Sequence, residues 1–191
     1  MRKRIKSITT IISVFLIFAI SFFMVEKALT MYYKSAYPLK YSEIVFKEAE
    51  KNSIDPSILY SIIRTESSFN DKAESVVGAR GLMQLTSDTF DWVKTKMNDN
   101  SDVSFDDMYD PEINIKYGAF LIAYLMNEFK TLNNSLCAYH AGRGALIKWL
   151  SDSELSTDGK NIVNIPYEDT KQYVKTVAKS RKMYQKLYGL L

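Results

Sequence analysis

Hydrophobic and polar positions follow two regimes along this chain. From Ser7 to Val25 there are 19 residues without a charge, and the stretch from Ile11 to Val25 is almost wholly apolar. As a helix this run spans about 28 Å at about 1.5 Å per residue, close to a bilayer hydrocarbon core of about 30 Å. Arg2, Lys3, Arg4 and Lys6 lie just before it. The positive-inside rule then keeps the N-terminus in the cytoplasm and sends residues 26–191 outward. The pattern predicts a single-pass anchor over residues 1–30 at the cell membrane. A cleaved signal peptide is the rival reading. Its small-x-small site would be Ala19-Ile20-Ser21, which sits inside the apolar run, and no lipid-accepting Cys follows. A buried core helix is the third reading.

Beyond a spacer over 31–40 that ends near Pro38, the period becomes helical. Ile44, Val45, Glu48 and Ala49 recur at helical spacing within Tyr41–Asn52. Asp55-Pro56 predicts a helix start, with Asp as N-cap and Pro at the first helical position. Ile58, Leu59, Ile62 and Ile63 give that helix one apolar stripe, and Ser67 to Asn70 ends it. Residues 71–85, with Gly78 and Gly81, read as a loop. Thr86 or Ser87 predicts a helix to about Met97, and Pro111 opens another to about Lys130. Asn133-Asn134 leads a helix from Leu136 to Trp149, interrupted by Gly142 and Gly144. Residues 98–110 and 151–166 read as loops, and Glu168–Leu187 as a last helix. No alternating run of strand length occurs. The predicted architecture is an all-α domain over 41–191, of roughly six helices and two long loops, behind one transmembrane helix. Long loops in a compact domain suggest a site.

Charge and composition narrow the function. With 47% apolar and 25% charged residues the chain is globular rather than disordered. Lys and Arg number 25 against 22 Asp and Glu, a net of +3. Residues 1–30 carry five basic residues against Glu26, which leaves 20 basic and 21 acidic residues for the rest. The positive charge is thus the tail's, and no nucleic-acid partner is expected. Cys137 is the single cysteine and His140 the single histidine. An internal disulfide framework and a Cys-rich zinc site are therefore excluded, and no metal or organic cofactor is expected.

Glu66 is the first candidate for chemistry. It follows Ile62 by four and Ile63 by three, so it extends the apolar stripe at a helix C-terminus. The negative end of the helix dipole and burial both disfavour its charged form, which raises its pKa toward the range a general acid needs. The same spacing also suits an ordinary solvated or salt-bridged Glu. Cys137 reads as a small buried hydrophobe, and the tyrosines of the last helix, Tyr173, Tyr184 and Tyr188, as core.

Five segments in order carry more than any one of them: Glu66-Ser67-Ser68-Phe69-Asn70; Ser75-Val76-Val77-Gly78-Ala79-Arg80-Gly81-Leu82-Met83-Gln84-Leu85; Asn114-Ile115-Lys116-Tyr117-Gly118; Ala138-Tyr139-His140-Ala141-Gly142; and Ile165-Pro166-Tyr167-Glu168-Asp169-Thr170-Lys171-Gln172-Tyr173-Val174. Together they resemble the catalytic domain of soluble-lytic-type lytic transglycosylases, relatives of goose-type lysozymes, over about residues 41–188. The resemblance implies a lysozyme-like helical fold that cleaves the β-1,4 bond from N-acetylmuramic acid to N-acetylglucosamine in peptidoglycan strands. It implies that Glu66 acts alone as acid and base, and that the muramyl C6 hydroxyl closes a 1,6-anhydro ring. Ordinary glycosidases need two carboxylates; an internal nucleophile removes that need.

By the same resemblance Ser75, Met83, Gln84 and Tyr117 line the groove, Tyr139 reaches the catalytic carboxyl, and Asp169 stands where many relatives have Glu. His140 replaces the usual Asn of its motif. The implied partners are glycan strands and the membrane; a wall-spanning secretion, conjugation or sporulation assembly is left open. Two other readings use the same fold: a hydrolysing muramidase, and a non-enzymatic glycan-binding scaffold. A plain helical interaction protein is the fourth.

Overall fold

The computed structural model describes residues 2–190, with side chains over 15–190. It divides into two compact units, residues 1–38 and 39–191. In the first, helix α1 runs from Arg2 to Ala36. The helix therefore continues through most of the expected spacer. No Gly or Pro interrupts it before Pro38, and the residue ahead of a proline is steered away from helix. Its side chains from Phe15 to Tyr32 are exposed, among them Phe18, Phe22, Phe23 and Met31. The segment Phe15–Ala36 is long and apolar enough to cross a membrane. Side chains of the earlier part, with Ser7 and the basic cluster, lie outside the described residues.

The second unit is all-helical, with no strand among the described residues; two isolated bridges, Glu74 to Arg80 and Arg80 to Leu85, are its nearest approach. Helix α2 spans Ser42–Lys51, α3 Pro56–Ser67, α4 Ser87–Lys96, α5 Pro111–Phe129, α6 Leu132–Ala141, α7 Arg143–Leu150 and α8 Glu168–Tyr188. A single 3-10 segment, Phe105–Tyr109, lies in the expected 98–110 loop, with Ser104 and Asp107 closing a capping box.

Helix α3 is the spine. Asp55 accepts the Ser57 N–H at 2.8 Å, as a capping carboxylate should. Ile58, Leu59, Ile62 and Ile63 are all buried. α8 lies along α3: Tyr60 stacks on Tyr184 with ring centres 5.2 Å apart, and Arg181 donates to Asp55 at 2.9 Å. This contact fixes α3 at its start, far from Glu66 at its end. α5 opens as expected, Asp110 accepting the N–H groups of Glu112 and Ile113.

One boundary differs from the sequence reading. α6 starts at Leu132, capped by Thr131, rather than at Leu136. Asn134, expected to precede the helix, is buried within it. Its amide donates to the Lys160 carbonyl at 2.6 Å and accepts the Ile162 N–H at 3.1 Å, which ties the 151–166 loop to α6. The polar residue satisfies loop backbone that packing would otherwise strand. At Gly142 (φ 93, ψ 142) the chain leaves the helical region and splits the expected long helix into α6 and α7.

Candidate active site

Glu66 lies in the last turn of α3, which Ser68 closes in the left-handed region at φ 51. It lines a cavity of about 440 Å³ together with Ser75, Gln84, Thr89, Tyr139 and His140. Burial pushes the Glu66 carboxyl up to about 7, against an ordinary 4.5, and outweighs the opposite pull of the Tyr173 hydroxyl. At neutral pH this group holds its proton about half the time, the condition in which a carboxyl can both give and take one.

The wall opposite is the 70–86 loop, held rigid by side chains from three helices. Asn114 of α5 is fully buried; its Oδ1 accepts the Met83 N–H at 2.8 Å, and its Nδ2 donates to the carbonyls of Arg80 (3.0 Å) and Met108 (2.8 Å). Tyr139 of α6 donates its hydroxyl to the Met83 carbonyl at 2.7 Å, and Ser67 of α3 donates to the Leu82 carbonyl at 2.9 Å. The glycines serve this clamp. Gly81 sits at φ 74, and a Cβ there would collide with the Met108 carbonyl and the Asn114 amide. Gly118 on α5 faces the Met83 sulfur, where a Cβ would also collide. So fixed, the loop turns Gln84 into the left-handed region at φ 49, with its amide donating to the carbonyls of Gly81 and Ala73.

The structure brings some expected residues together and not others. Ser75, Gln84 and Tyr139 line the cavity with Glu66. Ser75 also closes its own turn by accepting the Ala79 N–H at 3.0 Å. Tyr139 was expected to reach the carboxyl; its hydroxyl goes instead to Met83, because the loop carbonyl is the acceptor in line with it. Met83 is fully buried against Gly118, and its backbone rather than its side chain serves the site. Tyr117, expected in the groove, is fully buried, stacked on Phe90 at 4.9 Å with its hydroxyl donating to Asp99 at 3.0 Å. It faces the 3-10 side of α5, not the cavity. Asp169 lies outside the cavity lining and accepts the N–H of Thr170 in the first turn of α8. Cys137 is buried and its thiol is pushed up to about 12, so it is inert.

Tyr173 was read as core and is indeed buried, yet its hydroxyl finds no partner of hydrogen-bond geometry. The Glu66 carboxyl lies near enough for each to perturb the other. A buried Tyr needs somewhere to put its hydroxyl; that is the one signal the sequence offered. His140 packs its ring on Tyr173 at 4.4 Å. A second cavity, of about 370 Å³, shares Thr89, Leu121, Tyr139 and Gly142 with the first and runs on toward Trp92 and Arg143. The two cavities adjoin through these shared residues.

This is a lysozyme-like helical domain with one desolvated carboxyl at the wall of an open groove. Residues 43–162 match the transglycosylase SLT domain, and the chain belongs to that family. It is 32% identical over 157 residues to the soluble lytic murein transglycosylase of Escherichia coli K12, covering 80% of this chain and 24% of that protein. It is 29% identical over 168 residues to membrane-bound lytic murein transglycosylase C of Haemophilus ducreyi, covering 76% of this chain and 45% of the relative. Among solved structures it resembles the 70 kDa soluble lytic transglycosylase of E. coli (TM-score 0.73, 28% identity, 82% of this chain and 26% of that one). It also resembles an inactive mutant of the lytic transglycosylase Slt of Pseudomonas aeruginosa (TM-score 0.68, 28% identity, 79% and 25%). The chain thus spans about a quarter of the length of its soluble relatives.

Proposed function

We propose that this chain is a membrane-anchored peptidoglycan lytic transglycosylase. Its α1 helix crosses the membrane once and the domain from residue 39 onward works outside the cytoplasm. It cleaves the β-1,4 bond between N-acetylmuramic acid and N-acetylglucosamine, with Glu66 as the only acid and base. Protonated Glu66 gives its proton to the glycosidic oxygen as the bond to C1 breaks. The resulting carboxylate then takes the proton of the muramyl C6 hydroxyl, whose oxygen attacks C1 and closes the 1,6-anhydro ring. The cycle leaves Glu66 protonated again.

The observation that carries this reading is that, among the described residues, Glu66 is the one carboxylate lining this cavity, while Asp88 lines only the adjoining one. Hydrolysing glycosidases place a second carboxylate across the bond to activate water or form a covalent intermediate. Here the nucleophile is supplied by the bound sugar, and holding it in place gives a high effective concentration over water. A pKa of about 7 lets one group serve in both directions. Met83 and Asn114 serve by holding the loop that carries Gln84, and Ser75, Gln84 and Tyr139 by lining the groove.

Digestion of purified peptidoglycan with the full chain in detergent, followed by mass analysis of the fragments, tests this directly. The expected muramyl ends lack a reducing group and are lighter than hydrolysis products by one water. Reducing muramyl ends carrying heavy oxygen from labelled water would instead establish a hydrolase. Wall binding without soluble fragments would establish a scaffold. A 70 kDa soluble lytic transglycosylase has been solved in complex with bulgecin A, so the same compound is expected to bind this chain.

A further inference from the structure

His140 is the only histidine in the chain, and its place in the fold is unusual. It lines the cavity with Glu66 and is exposed to it. One face of its ring lies on Tyr173, centres 4.4 Å apart and planes within 30°. Its Nδ1 is 3.1 Å from the Thr170 hydroxyl. Nδ1 is therefore engaged at the start of α8, and the ring is held flat against the tyrosine whose hydroxyl faces Glu66. The remaining nitrogen, Nε2, has no partner among the described residues.

We propose that His140 is a positioning residue of this site: as a neutral ring it braces Tyr173 against Glu66, and on protonation it suppresses turnover and so sets the acidic limb of the pH–rate profile.

Three observations carry this. First, the stack presses the ring that bears the orphan Tyr173 hydroxyl, a group with no hydrogen bond of its own to fix it. Second, the titratable groups around His140 are few and identifiable: Glu66 on α3, Tyr139 on α6, and Asp169 and Tyr173 on α8. Both tyrosines stay neutral, their pKa values raised by burial and by Glu66. Asp169 favours the imidazolium, but desolvation outweighs it and keeps the ring below its ordinary 6.5. Third, glycosidic cleavage builds positive charge on the sugar at C1. A cation on the wall of the same cavity opposes that charge, while a neutral imidazole does not. The ring therefore loses its charge below the pH at which Glu66 loses its proton, and activity is highest between the two titrations.

A single histidine makes the test clean. In the full chain in detergent micelles, labelled with 13C-histidine, the ring resonance should titrate below 6.5 and show a second inflection where Glu66 ionises. Glu66→Gln should remove that second inflection, and Thr170→Val should shift the first. In parallel, His140→Phe keeps a flat ring without a titrating nitrogen. It should lose the acidic limb while holding its best rate within about fivefold of wild type. His140→Ala, which removes the brace, should lower kcat at every pH and move the basic limb upward as Tyr173 loosens. An acidic limb that survives in His140→Phe, or a ring that titrates once at 6.5 regardless of Glu66, would overturn the proposal. The rate arm rests on the transglycosylase reading and the resonance arm does not. Full turnover in Glu66→Gln would therefore overturn that reading while the ring titration still judged His140.

Discussion

Asn114 accepts the Met83 N–H at 2.8 Å from inside the core, 31 residues away along the chain. With its two donated bonds, this one amide serves three backbone groups, of which the Arg80 carbonyl also accepts the Leu85 N–H. Each buried group left without a partner costs about 1–3 kcal/mol. Asn114→Ala should therefore lose about 3 kcal/mol or more, and turnover with it, because the Gln84 turn loosens. Asn114→Asp, which keeps the acceptor for Met83 but offers no donors, should fall as far. Thermal melting by circular dichroism checks both; a change in midpoint of only a degree or two would show that the loop holds itself.

Glu66→Gln separates chemistry from stability. The carboxyl is held at about 7 in the fold against 4.5 ordinarily. The folded state thus binds the proton more tightly than the unfolded chain. Protonation stabilises the fold: the benefit is complete below about 4.5 and is lost as pH rises through about 7. At about 1.4 kcal/mol per pH unit, the ionised group costs ~3 kcal/mol above that range. The variant, which never ionises, should match wild type in stability at pH 4.5 and exceed it by up to that amount at pH 8. Turnover should drop by about 10²–10⁴ or more, since this is the only acid. Melting curves across that pH range and a turnover assay settle the two halves independently.

Two glycines should behave oppositely. At Gly81 a Cβ would strike the Met108 carbonyl, and the φ of 74 is already unfavourable for an L side chain, so Gly81→Ala should cost about 2–4 kcal/mol. Gly144 sits within α7 with nothing near its missing Cβ. Gly144→Ala should stabilise the fold by about 0.5–1 kcal/mol through helix propensity. Denaturant titration of both variants measures the difference.

The apolar stretch Phe15–Ala36 should decide where the protein resides. The full chain should sediment with membranes and require detergent for release, whereas a fragment beginning at residue 39, where the second compact unit starts, should remain in the supernatant and fold. A fragment that still sediments with lipid vesicles would locate the membrane contact in the domain itself. Full-length protein found in the medium with a new N-terminus near Phe22 would convert the anchor into a cleaved leader.

The amino-acid sequence by itself determined the helical class, the starts of α3, α5 and α8, and the candidacy of Glu66. These are local matters: Asp55-Pro56 and Asp110-Pro111 cap a helix wherever they occur, and a carboxyl at the end of an apolar stripe is desolvated by its own neighbours. Tertiary structure alone decided which tyrosine serves which acceptor. Tyr117, Tyr139 and Tyr173 look alike in sequence, but one is buried against Asp99, one holds the Met83 carbonyl and one faces Glu66. The interruption at Gly142 was legible, but the early start of α6 was not, because the loop groups that take the Asn134 amide reach it only when the chain packs. Periodicity reports which face of a helix is buried. It carries no information on what that face meets, and a hydroxyl or amide finds its partner across 26 to 56 residues of chain only when the helices pack.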